Sequence, residues 1–166
     1  MSDVRTEEVA PEDWSAWRDI RLRSLSQDPD AFGSTYEHEA DFVEATWRSR
    51  IDGTGGPGVL AYADGDPVGM GAGWLYEPGR LMVVAMWTEP NWRGRGVGRQ
   101  VLDHVVGWAD DRALAVDVWV ADSNPGARRL YERYGFRPDG QTEPIREGSD
   151  LTMSRLVLAP ERPASL

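Results

Sequence analysis

The sequence predicts a mixed α/β fold organised as one domain over residues 1–166, with 159–166 a short proline-containing tail, and three observations predict it. Residues 59–63 and 67–75 are strand-like runs joined by Asp64-Gly65-Asp66, whose Asp-Gly pair tolerates the positive φ of a tight hairpin. Residues 81–88 form an almost uninterrupted apolar strand that runs through a glycine-rich turn into an amphipathic helix over 98–111 and back to a strand at 115–120. A strand–helix–strand unit of this length implies parallel pairing. Finally, Asn124 caps a helix with Pro125 at its first position and an apolar stripe of Ala127, Leu130, Tyr131 and Tyr134, which Gly135 ends.

The remaining elements follow the same logic. Residues 4–9 alternate as a first strand, and Pro11-Glu12-Asp13 opens a first helix that buries Trp14, Trp17, Ile20 and Leu25 and stops at Asp28-Pro29. A second helix is expected over 37–51, with Phe42, Val43, Trp47 and Ile51 inward and Glu37, Glu39, Asp41 and Glu44 on a solvated face. Gly69, Gly71 and Gly73 recur with period two, leaving one strand face bare for a helix or a ligand to approach closely. The strand at 81–88 reads as covered on both faces. Residues 150–158 are the last clear strand, and the turn-rich stretch around Asp139-Gly140 flanks one more.

Bulk properties exclude several function classes. The chain has no cysteine, which removes disulfides, thiol nucleophiles and cysteine–zinc sites, and His38 and His104 alone make no metal cluster, so no metal is expected. A net charge of −10 opposes nucleic-acid binding. No apolar run spans a membrane and no leader pattern is present, so the expectation is a cytoplasmic protein without membrane partners.

Against that acidic background, Arg93-Gly94-Arg95-Gly96-Val97-Gly98-Arg99 is a local reversal of charge at a helix start, where backbone N–H groups can converge on a phosphate. A nucleotide P-loop needs Gly-Lys-Ser/Thr, and the chain has Gly98-Arg99-Gln100. A dinucleotide site needs G-x-G-x-x-G, and the third glycine falls on Arg99 or Val101. An ordinary tight turn stays open on these residues alone.

The chain resembles the GNAT superfamily of N-acetyltransferases over residues 81–136. Arg93-Gly94-Arg95-Gly96-Val97-Gly98 meets the family's Q/R-x-x-G-x-G/A coenzyme A signature, and Asn124, Ala127, Leu130-Tyr131 and Gly135-Phe136 meet its N-x-x-A-x-x-L-Y-x-x-x-G-F signature. The resemblance implies the acyl-CoA N-acyltransferase fold, a mixed, mostly antiparallel sheet splayed at its centre and flanked by about four helices. It implies acetyl-CoA as co-substrate, with its pyrophosphate on the backbone from Gly94 to Gly98 and on Arg99, and its pantetheine arm on main-chain groups of Met86 and Thr88 and near Asn124. The implied partner is a small-molecule or peptide amine; a homodimer stays open, as does the acceptor's identity.

Acetyl transfer to an amine needs a neutral nucleophile, stabilisation of the oxyanion and a proton for the departing thiolate. The resemblance points to a main-chain N–H of the 86–88 strand for the oxyanion and to Tyr131 as the acid, although periodicity alone would place Tyr131 in the core. The central strand has no carboxylate, so no base is assigned; Glu37, Glu39, Glu89 and Asp117 are each more readily structural or solvated. Trp47, Trp74 and Trp87 could wall an acceptor pocket or belong to the core. A non-catalytic acyl-CoA-binding or regulatory domain is the competing reading.

Overall fold

The computed structural model describes residues 3–159, so all of the expected tail except Ala159 lies outside the described residues. In chain order the elements are β1 (Val4–Glu8), α1 (Trp14–Gln27), α2 (Tyr36–Ala40), α3 (Glu44–Arg50), β2 (Gly58–Ala63), β3 (Asp66–Glu77), β4 (Arg80–Thr88), α4 (Val97–Asp110), β5 (Ala115–Ala121), α5 (Pro125–Tyr134), β6 (Phe136–Pro144) and β7 (Thr152–Leu158). The strands form one seven-stranded sheet in the order β1-β2-β3-β4-β5-β7-β6, antiparallel except between β4 and β5. No helix among the described residues is long and apolar enough to cross a membrane.

Alternation along the strands divides the core in two. Val59 and Ala61 of β2, with Leu81, Val83, Val116, Val118 and Val120, pack against the apolar stripes of α4 and α5. Leu60, Met70, Ala72 and Trp87 face the other way, onto Trp17, Ile20 and Leu25 of α1 and Trp47 of α3. The glycines of β3 are explained by packing. A Cβ on Gly69 would lie 2.6 Å from Val97 Cγ1, and one on Gly71 would lie 2.5 Å from Met86 Sδ and 2.6 Å from Val101 Cγ1. Their bareness lets α4 sit directly on the strand.

Two expectations need correction. The helix expected over 37–51 is broken into α2 and α3, which gives five α-helices among the described residues. Phe42, in the break, turns back to stack edge-on against Trp47 at 5.4 Å and His38 at 5.2 Å, and this tertiary contact overrides the helical period. The break also carries Glu39 inward: it is 1% exposed and takes both ends of Arg21, Nε at 3.0 Å and Nη2 at 2.9 Å, so it is no part of a solvated face. The second correction concerns β4, whose Leu81 and Val83 are buried while Met82 and Val84 are only half-buried. Helices α1 and α3 cover the β2–β3 half of their face, and among the described residues no α-helix packs on the half beyond β4.

Burial opposes ionisation of Glu39, but hydrogen bonds and charge from Arg21, with Ser34 and Arg50, outweigh it and hold its carboxyl below the usual range. A depressed carboxylate contributes stability above its unfolded pKa, about 4.3, and that contribution disappears as the pH falls through the lower folded value. Replacing Glu39 by Ala strands the Arg21 charge, and urea unfolding at pH 7 should show a loss of about 3 kcal/mol. The difference between the two proteins should shrink when the titration is repeated well below pH 4.

Candidate active site

The central parallel pair is short. It runs from Arg80 opposite Ala115 to Val83 opposite Val118 and stops, while β4 continues to Thr88 and β5 to Ala121. Each diverging strand keeps its other neighbour: β4 pairs with β3 as far as Thr88, and β5 pairs with β7 as far as Ala121. The sheet is therefore splayed at its centre. Between Met70↔Trp87 and Ala72↔Val84 the register shifts, and Ala85, in this bulge, has φ of 58°. A bulge bends its strand and re-aims the following residues, and a non-glycine residue held at positive φ costs energy that the surrounding ladders must supply.

The glycine turn lies just beyond this strand. Gly94 and Gly96 have φ of 76° and 82°, and Gly96 is the N-cap of α4. A Cβ at either would meet no atom within 4 Å, so glycine is required there by backbone conformation, and the space above the turn is clear. That space belongs to a cleft of about 990 Å³ lined by Met86, Thr88, Arg93, Gly94, Gly96, Val97, Gly98, Arg99, Asn124 and Tyr131, among others. Ten of the eleven residues singled out from the sequence thus meet in one place.

Arg95 is the exception: it stacks on Trp92 at 4.8 Å and does not line the cleft. Arg93 lines the cleft but also holds the protein together, its Nε donating to the Thr88 carbonyl at 3.0 Å and its Nη2 to Asp28 at 2.8 Å. Trp87 Nε1 donates to the same Asp28 oxygen at 2.7 Å. Burial works against the Asp28 charge, but these two hydrogen bonds and the Arg93 guanidinium prevail and keep its carboxyl below the ordinary range. Arg99 lies over the Tyr134 ring at 4.4 Å and near Asp103 at 3.5 Å.

A smaller cavity of about 260 Å³ lies on the helix-free half of the sheet and shares Ala31, Met86, Asn124, Ala127 and Tyr131 with the cleft. Tyr131 therefore stands at the junction. It is 4% exposed, packs edge-on against Phe136 at 5.7 Å, and burial pushes its phenol well above its usual range, so it stays protonated at neutral pH. Asn124 caps α5 as expected, its side-chain oxygen accepting from Ala127 N at 3.2 Å.

The carboxylates considered as bases all lie away from both cavities. Asp117, fully buried, accepts from Arg155 at 2.9 Å, from Arg80 at 3.3 Å and from the Tyr76 hydroxyl. Glu39 is paired with Arg21 and Glu89 with Arg23, while Glu37 is exposed on α2. None of the four lines either cavity. Of the tryptophans, Trp87 lines the cleft, Trp47 is core and Trp74 is 53% exposed.

Comparison with known proteins decides the family. Residues 14–136 match the model of the "Acetyltransferase (GNAT) family". The chain belongs to the GNAT family. A curated relative, the mycothiol acetyltransferase of Beutenbergia cavernae, is 28% identical over 128 residues, which cover 74% of this chain and only 41% of that protein. Among solved structures, a GNAT-family acetyltransferase from Streptococcus pneumoniae superposes with a TM-score of 0.75 at 17% identity, over 93% of this chain and 98% of the other. A Salmonella typhimurium protein solved with its cofactor acetyl-CoA gives 0.76 at 16% identity, over 99% and 98%. At these identities the structural likeness establishes the GNAT fold.

Within this GNAT domain, sequence reasoning missed Asp28, Arg129 and Arg133, which also line the cleft. Arg129 and Arg133 stand four residues apart on α5, a spacing that puts both on one helix face and was legible in the sequence. Asp28 was not, since its partners Trp87 and Arg93 lie about sixty residues away. Asp28→Ala should destabilise the domain by about 1–2 kcal/mol and speed amide exchange selectively across Arg93–Gly98, read by hydrogen-exchange mass spectrometry.

Proposed function

We propose that this GNAT domain transfers an acetyl group from acetyl-CoA to a primary amine of a small molecule or peptide, by direct attack with both substrates bound. The observation that carries the reading is the continuity of the cleft: the unpartnered edge of β4 beyond Val83, the glycine turn at the start of α4 and Tyr131 all open on it. An extended amide chain can pair with such an edge as an added strand would, and a pyrophosphate suits a 14-residue helix whose N-terminus has clear space above its N–H groups. Arg99, Arg129 and Arg133 add positive charge along the same wall. The acetyl-CoA carried by the Salmonella typhimurium structure supports the choice of ligand.

Bound acetyl-CoA supplies an activated thioester. Gly94, Gly96, Val97 and Gly98 would bind the pyrophosphate through main-chain N–H groups, with Arg99 beside it; Arg93 shapes the turn through Asp28 and Thr88, and Arg95 contributes through its stack on Trp92. Main-chain groups of Met86 and Thr88 would hold the pantetheine, near Asn124, and a main-chain N–H of the 86–88 segment would stabilise negative charge on the carbonyl oxygen. Because Arg93 already occupies the Thr88 carbonyl, Thr88 offers chiefly its N–H. Tyr131 would donate its proton to the departing sulfur. Burial raises the affinity of a thiolate for a proton just as it raises that of the phenol, so the transfer remains matched in this apolar junction.

The second reading, a domain that binds acyl-CoA without turnover, draws on the lack of a carboxylate lining the smaller cavity; of the cleft's carboxylates, Asp28 is held by Trp87 and Arg93, and Asp30 is exposed beside Ala31, a residue that both cavities share. A thiol-release screen across amines separates the two: release supports transfer, and binding of acetyl-CoA by calorimetry with no release across the panel supports the second reading. Tyr131→Phe should lower kcat by about a hundredfold or more while leaving acetyl-CoA affinity within about threefold. Equal kcat in the two proteins would remove Tyr131 from the acid role. Gly96→Asp places a carboxylate in the turn at a positive φ, and calorimetry should detect no acetyl-CoA binding.

A further inference from the structure

We infer that the acceptor taken by the smaller cavity is a small amine that also bears a carboxylate and an apolar side chain, as an apolar amino acid does, and that Arg21 receives the carboxylate. The inference rests on the transferase reading above and names its second substrate by chemistry.

Four observations carry it. The cavity, about 260 Å³, is smaller than the sites that enclose drug-sized ligands, which begin at about 300 Å³, so its occupant is small. Its floor and walls are apolar, with Met82, Val84, Trp119 and Met153 from the sheet and Phe32 and Ile145 from the loops above it. Among the described residues Arg21 is the one charged side chain that lines it, in a protein whose net charge is −10. Finally, the Arg21 guanidinium is only partly satisfied. Nε and Nη2 hold Glu39, Phe32 lies 4.9 Å from Cζ, and Nη1 is buried with no hydrogen-bond partner among the described residues.

A buried guanidinium donor left unpaired is costly, and an incoming carboxylate removes that cost while gaining a charge-assisted hydrogen bond away from water. The negative charge of the protein does not forbid such a ligand: the nearest carboxylate, Glu39, is neutralised by the same guanidinium, and exposed carboxylates are screened within about 8 Å at physiological salt. Because Glu39 neutralises the guanidinium, selection rests on the directional Nη1 donor, to which a protonated polyamine offers no acceptor. Met86, Asn124 and Tyr131, shared with the cleft, mark where that amine would meet the thioester.

The test compares L-phenylalanine and L-methionine with phenethylamine and 3-(methylthio)propylamine, and with spermidine, as acceptors for the full chain at saturating acetyl-CoA. The expected result is a kcat/KM for each amino acid at least about tenfold above that of its decarboxylated counterpart, expressed mainly in KM. Replacing Arg21 alone would leave Glu39 buried and unpaired, so the second protein carries Arg21→Met and Glu39→Met together, an exchange of an ion pair for apolar groups that folds tolerate. In it the preference should fall to within about threefold, with acetyl-CoA affinity unchanged by calorimetry. A preference for the amines without a carboxylate, or one that survives in the double variant, overturns the inference and leaves the transferase reading standing. Should no amine release thiol, the transferase reading fails instead. Calorimetry with coenzyme A present, N-acetyl-L-phenylalanine against N-acetylphenethylamine, then decides the carboxylate site separately: equal affinity, or no binding of either, overturns it.

Discussion

The structure depends on where one parallel pairing stops. Four residue pairs join β4 to β5, and past Val83 and Val118 the two strands part. Backbone groups along a strand must find partners, which ordinarily forbids a sheet from opening in its middle. Here the cost is contained because each diverging strand keeps an outer ladder, β3 for β4 and β7 for β5, so only the inner edges lose their neighbours. The bulge at Ala85 bends β4 away, and Asp28, holding Trp87 and Arg93 together, anchors the far end of that strand to the end of α1. The cleft and the smaller cavity both follow from this divergence.

Charge is distributed with the same economy. The protein is acidic overall, yet among the described residues four arginines line the cleft against two aspartates, and Arg21 is the one charged residue lining the smaller cavity. The buried or partly buried carboxylates Asp117, Glu39 and Glu89 are each held by arginines and work as structural anchors. Net charge sets the distant field, while a ligand in a low-dielectric cleft responds to its immediate neighbours.

Much of the fold was legible because it is written in local periodicities. The α4 stripe of Val101, Leu102, Val105 and Val106, the Asp64-Gly65 hairpin and the Asn124-Pro125 start of α5 all lie where the sequence places them. The expected helix over 37–51 failed because Phe42 packs back on Trp47, a contact that no periodicity reports. The site was legible to the extent that it is built from contiguous backbone: glycines at positive φ betray the turn directly. Asp28 and the Arg21–Glu39 pair, joined across 59, 65 and 18 residues of chain, were invisible as partners.

The sequence by itself determined the order of the elements and the glycine turn at Gly94–Gly98, since each depends on neighbours within a few positions. Tertiary structure alone decided that Tyr131, a member of an apolar stripe by its spacing, stands at the junction of two cavities, and that Glu39, polar by its neighbours, is buried against Arg21. The physical reason is common to both. Exposure and solvation are set by what packs against a residue from a distance: α2 against α1 for Glu39, and for Tyr131 the half of the sheet that α1 and α3 leave uncovered.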